Sequence, residues 1–354
     1  MSDTTTRSRT DVSSGPSKSP LSGVAFDPSA PLLEVEDLQV EFHTRDGVAK
    51  AVNGVSFSVG EGETLGILGE SGCGKSVTAQ AIMGILDTPP ARVAGGQVRF
   101  RGVDLLAMEE KTRRHVRANK IAMIFQDALS SLNPVFTVGW QLSELFRVHQ
   151  GASRKEAKAK AVEMLEMVGI PAAKQRVDDF PHQFSGGMRQ RVMIAMALAL
   201  KPDVIIADEP TTALDVTVQA QVMQLLADLQ QEMKLGLILI THDMGVVADV
   251  ADKICVMYAG NAVEQADVYQ TYENPAHPYT KALLESIPRV DQKGQELTVI
   301  KGLPPVLTNQ PPGCAFHPRC TFAKDKCKEE KPSLYPVPGG RSSACHYWEE
   351  VVAK

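Results

Sequence analysis

The sequence lacks a long apolar run, and it lacks an excess of positive charge. Its longest uninterrupted apolar run is Val192–Leu200, which Lys201 and Pro202 end, whereas a membrane-spanning helix needs about 20 residues. Lys and Arg number 37 against 42 Asp and Glu, so the formal net charge is −5. Coating nucleic acid requires clustered Lys and Arg. We therefore predict a chain that does not span a bilayer and that binds no nucleic acid.

The N-terminus lacks a targeting signal, and cysteine is scarce except near the C-terminus. Residues 1–30 hold eight Ser and four Thr, without the apolar stretch that a signal peptide requires. This composition predicts a disordered cytosolic tail. Cys73 and Cys255 stand alone, whereas the other four cysteines are crowded: Cys314, Cys320, Cys327 and Cys345. In a cytosolic chain such crowding indicates a metal site more than disulfides.

From Leu33 onward, short β-rich runs alternate with helical stretches, a pattern typical of an α/β domain. Strand signals are missing from about Trp140 to Leu200, which predicts an inserted helical subdomain at about residues 137–200. After Asn274 the prolines multiply and periodicity fades, which predicts a small separate C-terminal module. The predicted organisation is a tail over 1–30, an α/β domain over 31–273 and a Cys-rich module over 274–354. The strand candidates are Thr64–Leu68, Ile121–Phe125, Val204–Ala207, Leu237–Thr241 and Ile254–Tyr258.

A phosphate-binding loop is the strongest motif of the chain. Residues 69–76 fit the pattern G-x-x-x-x-G-K-[ST] and lie between a predicted strand and a predicted helix. The glycines let backbone N–H groups converge on phosphate, and the helix N-terminus favours the anion. Lys75 is expected to reach the β- and γ-phosphates of ATP, and Ser76 to bind Mg²⁺. The predicted ATP-binding residues of this motif are Gly69, Glu70, Ser71, Gly72, Cys73, Gly74, Lys75, Ser76 and Val77.

Two carboxylates follow a buried strand candidate. Four apolar residues lead to Asp208 and Glu209, which puts both acids at the carboxyl edge of the sheet, where α/β proteins bind ligands. We expect Asp208 to hold the Mg²⁺ shell. Glu209 is expected to act as the general base on the attacking water.

Further motifs occur in a fixed order around these two. The stretch Phe184–Arg191 begins Phe-Ser-Gly-Gly and precedes Asp208, Gln126 follows a strand candidate, Thr212–Asp215 follows the two acids, and His242 follows another strand candidate. In this order, over about residues 32–265, the sequence resembles the ATP-binding-cassette (ABC) ATPases. The resemblance implies a P-loop NTPase fold with an ABC ATPase core.

The same resemblance implies roles for individual residues. Ser185, Gly186 and Gly187 act in trans on ATP held by a second subunit, and Asp215 contacts across that interface. His242 positions the γ-phosphate and water. The remaining implied roles are a contact of Gln126 with Mg²⁺ and stacking of Phe42, rather than His43, on adenine. The fifth signature position, often Gln in the family, is Met188 here.

Within that family the sequence resembles the ATPase subunits of bacterial oligopeptide and dipeptide importers. The supporting stretches are Phe125–Asp127, Ser130–Pro134, Asp208–Val216 and Asn274–Thr280. The resemblance implies a second, identical or related ATPase subunit, two transmembrane permeases and an extracellular peptide-binding protein, with this chain peripheral on the cytoplasmic face of the bacterial plasma membrane. Nickel or glutathione as cargo, and a soluble ATPase of iron–sulfur assembly or DNA repair, are the alternatives.

The spacing of the four late cysteines, C-x5-C-x6-C-x17-C, matches neither common zinc sites nor ferredoxin runs. Spacing alone therefore leaves the ligand open. The resemblance to peptide-importer ATPases implies a 4Fe–4S cluster on these cysteines. His317 and His346 keep zinc as an alternative, and free thiols are the third.

Overall fold

The computed structural model describes residues 24–212, 214–287 and 300–353. Residues 1–23 of the predicted tail lie outside the described residues. Residues 24–30 are described, and the ring of Phe26 packs edge-on against Phe100 with centroids 5.3 Å apart. The boundary of a disordered tail at residue 30 stays a prediction.

Twelve strands form two sheets within the described residues. The first sheet is antiparallel and has the order β2-β1-β4-β5, and the second has the order β11-β12-β10-β9-β3-β8-β7-β6. Strands β9, β3, β8, β7 and β6 are parallel to one another. The strands are β1 (Leu33–Thr44), β2 (Gly47–Val59), β3 (Thr64–Leu68), β4 (Ala91–Phe100), β5 (Val103–Asp104), β6 (Ile121–Ile124), β7 (Val204–Asp208), β8 (Gly236–Thr241), β9 (Lys253–Tyr258), β10 (Asn261–Asp267), β11 (Tyr335–Val337) and β12 (Arg341–Ser343).

The helices lie between the strands and after them. No strand interrupts the described residues between β6 and β7, where α3 to α7 lie. The helices are α1 (Lys75–Met83), α2 (Glu110–Asn119), α3 (Ala128–Ser131), α4 (Val138–Gln150), α5 (Arg154–Met167), α6 (Ala173–Arg176), α7 (Gly186–Leu198), α8 (Val216–Met233), α9 (Met244–Val250), α10 (Val268–Glu273), α11 (Pro278–Glu285), α12 (Asp325–Glu329) and α13 (Trp348–Val352). Among the described residues, none of these helices combines the length and the apolarity that crossing a bilayer requires.

Each central strand is buried on both faces, which is why β3, β7 and β8 are almost wholly apolar. Successive residues face opposite sides of the sheet. Ile205 and Leu237 join the core between the sheet and helices α4 to α8. Ile206 and Ile238 join the core between the two sheets. This packing fixes the carboxyl ends of β3, β6, β7 and β8 along one edge.

The C-terminal segment extends the main sheet. Strand β12 pairs with β10, with Glu264 opposite Ser343, and Phe316 is buried in the same core as the central strands. The segment thus packs against the α/β domain, and its division from that domain at residue 274 stays a prediction. The strands β11 and β12 have three residues each, too few for a visible alternation among prolines.

Candidate functional site

The phosphate loop connects β3 to α1 through a backbone that only glycine can form. Gly74, at the N-cap of α1, has φ 107°, and an added Cβ would lie 2.2 Å from the carbonyl oxygen of Ala51. A Cβ on Gly69 would lie 2.3 Å from the carbonyl oxygen of Met257. Real side chains do not tolerate such distances, so both positions require glycine.

The two polar residues that begin α1 point to different neighbours. Lys75, only 4% exposed, donates from Nζ to the carbonyl oxygens of Gly69 at 2.7 Å and Glu70 at 3.1 Å. Ser76 donates from Oγ to Oδ1 of Asp208 at 3.0 Å. Burial raises the pKa of Asp208, while the Ser76 hydrogen bond acts in the opposite direction. The predicted Mg²⁺ pair is therefore in contact across α1 and β7.

Glu209 lies at the centre of a polar cluster beyond the strand ends. Its backbone has φ 45°. This conformation is rare for residues other than glycine, and residues that adopt it cluster at functional sites. Oε2 accepts hydrogen bonds from Nε2 of Gln126 and Oγ1 of Thr212, both at 2.9 Å. Oε1 lies 3.5 Å from Nδ1 of His242. Residues that follow three parallel strands thus meet at one carboxylate.

The loop and this cluster enclose one cavity of about 580 Å³. The residues that line it are Ala51, Ser71, Gly72, Gly74, Lys75, Ser76, Val77, Gln126, Glu209, His242 and Leu307. Most predicted ATP-binding residues thus face a common space. Gly69, Glu70 and Asp208 belong to the loop and to β7 but do not line the cavity.

Two residues predicted to bind ATP lie elsewhere. Phe42 packs at the edge of the core between the two sheets and does not line the cavity. Cys73 is buried with its thiol turned inward, and this burial raises its pKa. For both residues, the sequence motif predicts the position along the chain. The direction of the side chain depends on tertiary packing, which the motif does not show.

Comparisons with known proteins agree with this geometry. Residues 52–212 match the ABC transporter family, and residues 263–327 match the family described as oligopeptide/dipeptide transporter, C-terminal region. The dipeptide transport ATP-binding protein DppD of Escherichia coli (strain K12) is 48% identical over 316 residues, covering 89% of this chain and 96% of that protein. The oligopeptide transport ATP-binding protein OppD of Bacillus subtilis (strain 168) is 52% identical over 307 residues, covering 86% of each.

The chain belongs to the ATP-binding subunits of the oligopeptide/dipeptide ABC transporter family. The resemblance predicted from the motifs is confirmed, and the chain is an ABC-type ATPase. A solved structure agrees: the dimeric post-hydrolysis state of the ATP-binding cassette MJ0796, bound to ADP and Pi, is 27% identical, with TM-score 0.60, and covers 67% of this chain and 98% of that chain. The ABC cassette fold is therefore confirmed as well.

The ABC signature of this family member lies away from the cavity, at the start of α7. Ser185 caps that helix by accepting a hydrogen bond from the backbone N–H of Met188 at 3.4 Å. A Cβ on Gly187 would lie 2.4 Å from Cγ1 of Val218 in α8. Asp215 caps α8 by accepting from the N–H of Val218 at 3.0 Å. Gly186 and Gly187 thus stand beside Asp215 on a surface separate from the phosphate loop of the same chain.

Several residues of the site were missed by sequence reasoning. Thr212 holds Glu209, and Leu307 lines the cavity. Arg319 forms an ion pair with Glu70 of the phosphate loop, and Tyr279 accepts a hydrogen bond from the Glu70 backbone N–H at 2.9 Å. Thr212 and Tyr279 had a usable signal, because they fall within the recognised stretches Thr212–Asp215 and Asn274–Thr280.

The four late cysteines lie close together, but within the described residues they form no metal site. Burial and then the neighbouring thiols raise the pKa of Cys345 to about 12 and that of Cys320 to about 11. The Phe322 N–H donates to the sulfur of Cys320 at 3.3 Å. Within residues 24–212, 214–287 and 300–353, no three His, Cys, Asp or Glu side chains are arranged to hold a metal ion. All four donors are sulfur atoms, but the raised pKa values favour neutral thiols, and the arrangement does not enclose a metal group.

Proposed function

We propose that this chain binds and hydrolyses Mg-ATP to power the import of di- and oligopeptides through membrane permeases. The observation that carries the proposal is the carboxylate of Glu209, which lies beside the phosphate loop and is held by Gln126, Thr212 and His242. A fixed carboxylate next to a phosphate site is the arrangement that water activation for phosphoryl transfer requires.

The residues of the site have distinct proposed roles. Ser76, Asp208 and Gln126 would hold Mg²⁺, which supplies positive charge to the phosphates when it is bound. Lys75 and the loop N–H groups bind the β- and γ-phosphates. Oε1 of Glu209 takes a proton from the attacking water, and His242 orients that water and the γ-phosphate. The amide of Gln126 and the hydroxyl of Thr212 keep Oε2 of Glu209 fixed during the transfer.

The active unit is proposed to be a head-to-tail dimer with an identical or related ATPase subunit. Helix α7 has thirteen residues, and its capped N-terminus offers backbone N–H groups and a favourable dipole to an anion. We propose that Ser185, Gly186 and Gly187 bind the γ-phosphate on the partner subunit and that Asp215 contacts the same interface. Hydrolysis removes this shared contact and lets the dimer open, a ligand-driven shift between two states.

The permeases are proposed to dock in an apolar cleft beside Gln126. This cleft has a volume of about 440 Å³ and lies where the end of α1 and β6 meet helices α4 and α7, with Ile85, Phe125 and Met196 among its lining residues. Ile85 and Phe125 are each 41% exposed. Because Phe125 precedes Gln126, a permease element seated there would sense the state of the nucleotide site.

Replacing Ile85 by Ser tests this docking site. We expect weaker co-purification with co-expressed permeases and unchanged ATP binding by the isolated chain. Val148→Ser is the matched control, because Val148 is 68% exposed on α4 and does not line the cleft. Equal co-purification of both variants and the unchanged chain would contradict the docking site.

Peptide is the proposed cargo because DppD and OppD are named for dipeptide and oligopeptide transport. The match of residues 263–327 to the peptide-transporter C-terminal region favours this cargo over a role as a soluble non-transport ATPase. We further propose an extracellular peptide-binding protein as a partner and a peripheral location on the cytoplasmic face of the bacterial plasma membrane.

A 4Fe–4S cluster on the four late cysteines is proposed as a second cofactor, with zinc as the alternative. All four ligands are Cys, and the N–H to sulfur bond at Cys320 is of the kind that tunes such clusters. Binding would need the four thiols to close around the cluster, since they do not enclose a site as they stand. No step of ATP hydrolysis depends on it.

Transport in proteoliposomes tests the proposed function. The assembly contains this chain, its partner ATPase and the permeases, with the peptide-binding protein added outside, and labelled dipeptide uptake is measured with and without internal ATP. We expect Glu209→Gln to keep ATP binding while hydrolysis falls by about 10²- to 10⁴-fold, because the water loses its base. Glu232→Gln, an exposed position on α8, is the matched control. ATP-independent uptake, or full hydrolysis by Glu209→Gln, would overturn the proposal.

A further inference from the structure

The phosphate loop is joined to the C-terminal segment by a two-point ion pair. Nη1 of Arg319 lies 2.6 Å from Oε2 of Glu70, and Nη2 lies 2.9 Å from Oε1. Two parallel N–H to oxygen bonds of this kind fix direction as well as distance. The two residues are 249 positions apart in the chain, and Arg319 falls outside the 52–212 match to the ABC family.

Arg319 is itself rigidly held. Its side chain is only 5% exposed. Nε donates to the carbonyl oxygen of Lys301 at 3.2 Å, and Nη1 also donates to the hydroxyl of Tyr258 at 3.3 Å. Its guanidinium lies over the rings of Tyr258 and Phe316, at 5.8 and 6.0 Å from their centroids. Because these contacts hold the Arg319 side chain, Arg319 in turn fixes the position of the Glu70 carboxylate.

The backbone of Glu70 is held from the same direction. Its N–H donates to the hydroxyl of Tyr279 at 2.9 Å, and the Tyr279 side chain is fully buried. Its carbonyl oxygen accepts from Nζ of Lys75 at 3.1 Å. The N–H, the carboxylate and the carbonyl of one loop residue are therefore all engaged, two of them by residues of the C-terminal segment.

The ion pair with Arg319 compensates the negative charge of Glu70. The carboxylate belongs to a loop that receives the phosphates of ATP, and like charges close together oppose binding. Arg319 neutralises the carboxylate and holds it in a bond that leaves it outside the lining of the cavity. Without Arg319, the charge would remain and the loop would lose its outer support.

We infer that Arg319 is a positioning residue of the nucleotide site, through which the C-terminal segment sets the affinity of the phosphate loop for ATP. Arg319 acts through Glu70 and does not itself line the cavity. This inference rests on the ATPase function proposed above. It extends the nucleotide site beyond the cassette to the turn between Cys314 and Cys320, which carries Arg319.

Substitution of Arg319, alone and together with Glu70, tests the inference in the full-length chain. ATP affinity is measured by displacement of a fluorescent ATP analogue, and KM and kcat are measured on the dimer assembled with its partner subunit. For Arg319→Gln we expect about tenfold weaker ATP binding, the effect typical of losing a hydrogen bond to a charged group. KM should rise with it, while kcat at saturating ATP changes by less than about twofold, because Glu209 and Gln126 are untouched.

The second arm separates an effect that acts through Glu70 from general damage. In Arg319→Gln with Glu70→Gln, no uncompensated carboxylate remains, so ATP affinity should recover to within about threefold of the unchanged chain. Arg319→Lys keeps the charge but cannot make both bonds, and its affinity should fall between the two. Arg341→Gln is the matched control, because Arg341 lies in the same segment and bonds the Asn274 carbonyl and not the loop.

Three outcomes would overturn the inference. Unchanged ATP affinity in Arg319→Gln overturns the inference, as does equal weakening by Arg341→Gln. Failure of the double variant to recover affinity also overturns it. If the unchanged chain bound no ATP, the proposed function itself would fail, which is a different result from a normal chain with an indifferent Arg319.

Discussion

Gln126 donates a hydrogen bond of 2.9 Å from Nε2 to Oε2 of Glu209, although 83 residues separate the two. The bond joins the loop after β6 to the end of β7. Gln126 also borders the apolar cleft through its neighbour Phe125. A displacement of that cleft therefore has a direct route to the proposed general base.

Replacing Gln126 by Ala removes one of the two hydrogen-bond donors to Oε2 of Glu209. We expect ATP turnover to fall about tenfold, because the base loses its orientation and Mg²⁺ loses a proposed ligand. ATP affinity measured without Mg²⁺ should change little, because the phosphate loop stays intact. Steady-state hydrolysis by the assembled dimer and nucleotide binding measure the two effects. Gln224→Ala is the control, since Gln224 makes a similar bond to Asp228 on the surface of α8. Equal turnover in both variants would remove Gln126 from this role.

Replacing Gly187 by Ala should destabilise the contact between α7 and α8. The new Cβ would lie 2.4 Å from Cγ1 of Val218, and the stiff Val side chain cannot move away easily. We expect the free energy of unfolding to fall by about 1–3 kcal/mol, as is typical of overpacking, in urea denaturation of the isolated chain.

Gly186→Ala is the matched control for this change. Its Cβ would meet Cδ2 of Leu214 at 3.5 Å, an ordinary contact, and Ala favours a helix over Gly. The Gly186 variant should therefore be at least as stable as the unchanged chain. A Gly187 variant of equal stability would show that α7 and α8 are packed less closely than described.

His277 makes stability depend on pH below its usual titration range. Burial lowers its pKa to about 3, while its Nδ1 caps α11 by accepting from the N–H of Tyr279. As pH falls below about 6.5, His277 therefore takes up a proton in the unfolded chain but not in the folded chain. The contribution of neutral His277 to the free energy of unfolding is fully present above pH 6.5 and is lost as pH falls toward 3.

Urea unfolding of the unchanged chain and of His277→Asn, between pH 7 and pH 5, measures this effect. Asn can also cap the helix and does not titrate. Between these pH values the unchanged chain should lose about 2 kcal/mol more of its free energy of unfolding than the variant. Other titrating groups, including Glu264, which binds the His277 N–H, are common to both chains. Parallel pH profiles would contradict a neutral buried His277.

Metal analysis of anaerobically purified protein decides the ligand of the four late cysteines. We expect about four irons with sulfide per chain and their loss when Cys314, Cys320, Cys327 and Cys345 are all changed to Ser. One bound zinc, lost in the same variant, would favour the alternative. The double change of Cys73 and Cys255 to Ser is the control, because both lie in the core between the sheets. Iron retained by the quadruple variant would contradict these ligands.

The sequence predicted the central strands and the phosphate loop well because both depend on local chemistry. A strand buried on both faces must be apolar throughout, as β7 and β8 are, and a loop such as Gly69–Ser76 requires its glycines where the backbone approaches its neighbours. The order of motifs along the chain then identified Gln126 and His242, which are single polar residues without any local pattern of their own.

The remaining part of the site depends on contacts between distant segments, which leave no periodic trace. The pair of Arg319 and Glu70 could not be predicted, because any of the many Arg residues could have reached the loop. The family resemblance suggested Phe42 as an adenine contact, and this stays a prediction; its side chain packs against the core between the sheets.

The C-terminal strands also close one edge of the main sheet, where a strand of another molecule would otherwise pair. Strand β11 forms the last edge of the eight-stranded sheet. It is three residues long and contains Pro336, which has no N–H to offer an approaching strand. A chain cut before Tyr335 would instead expose β10 at Glu264 and Gln265, the residues that pair with β12. We expect such a shortened cassette to self-associate more than the unchanged chain, which light scattering would detect.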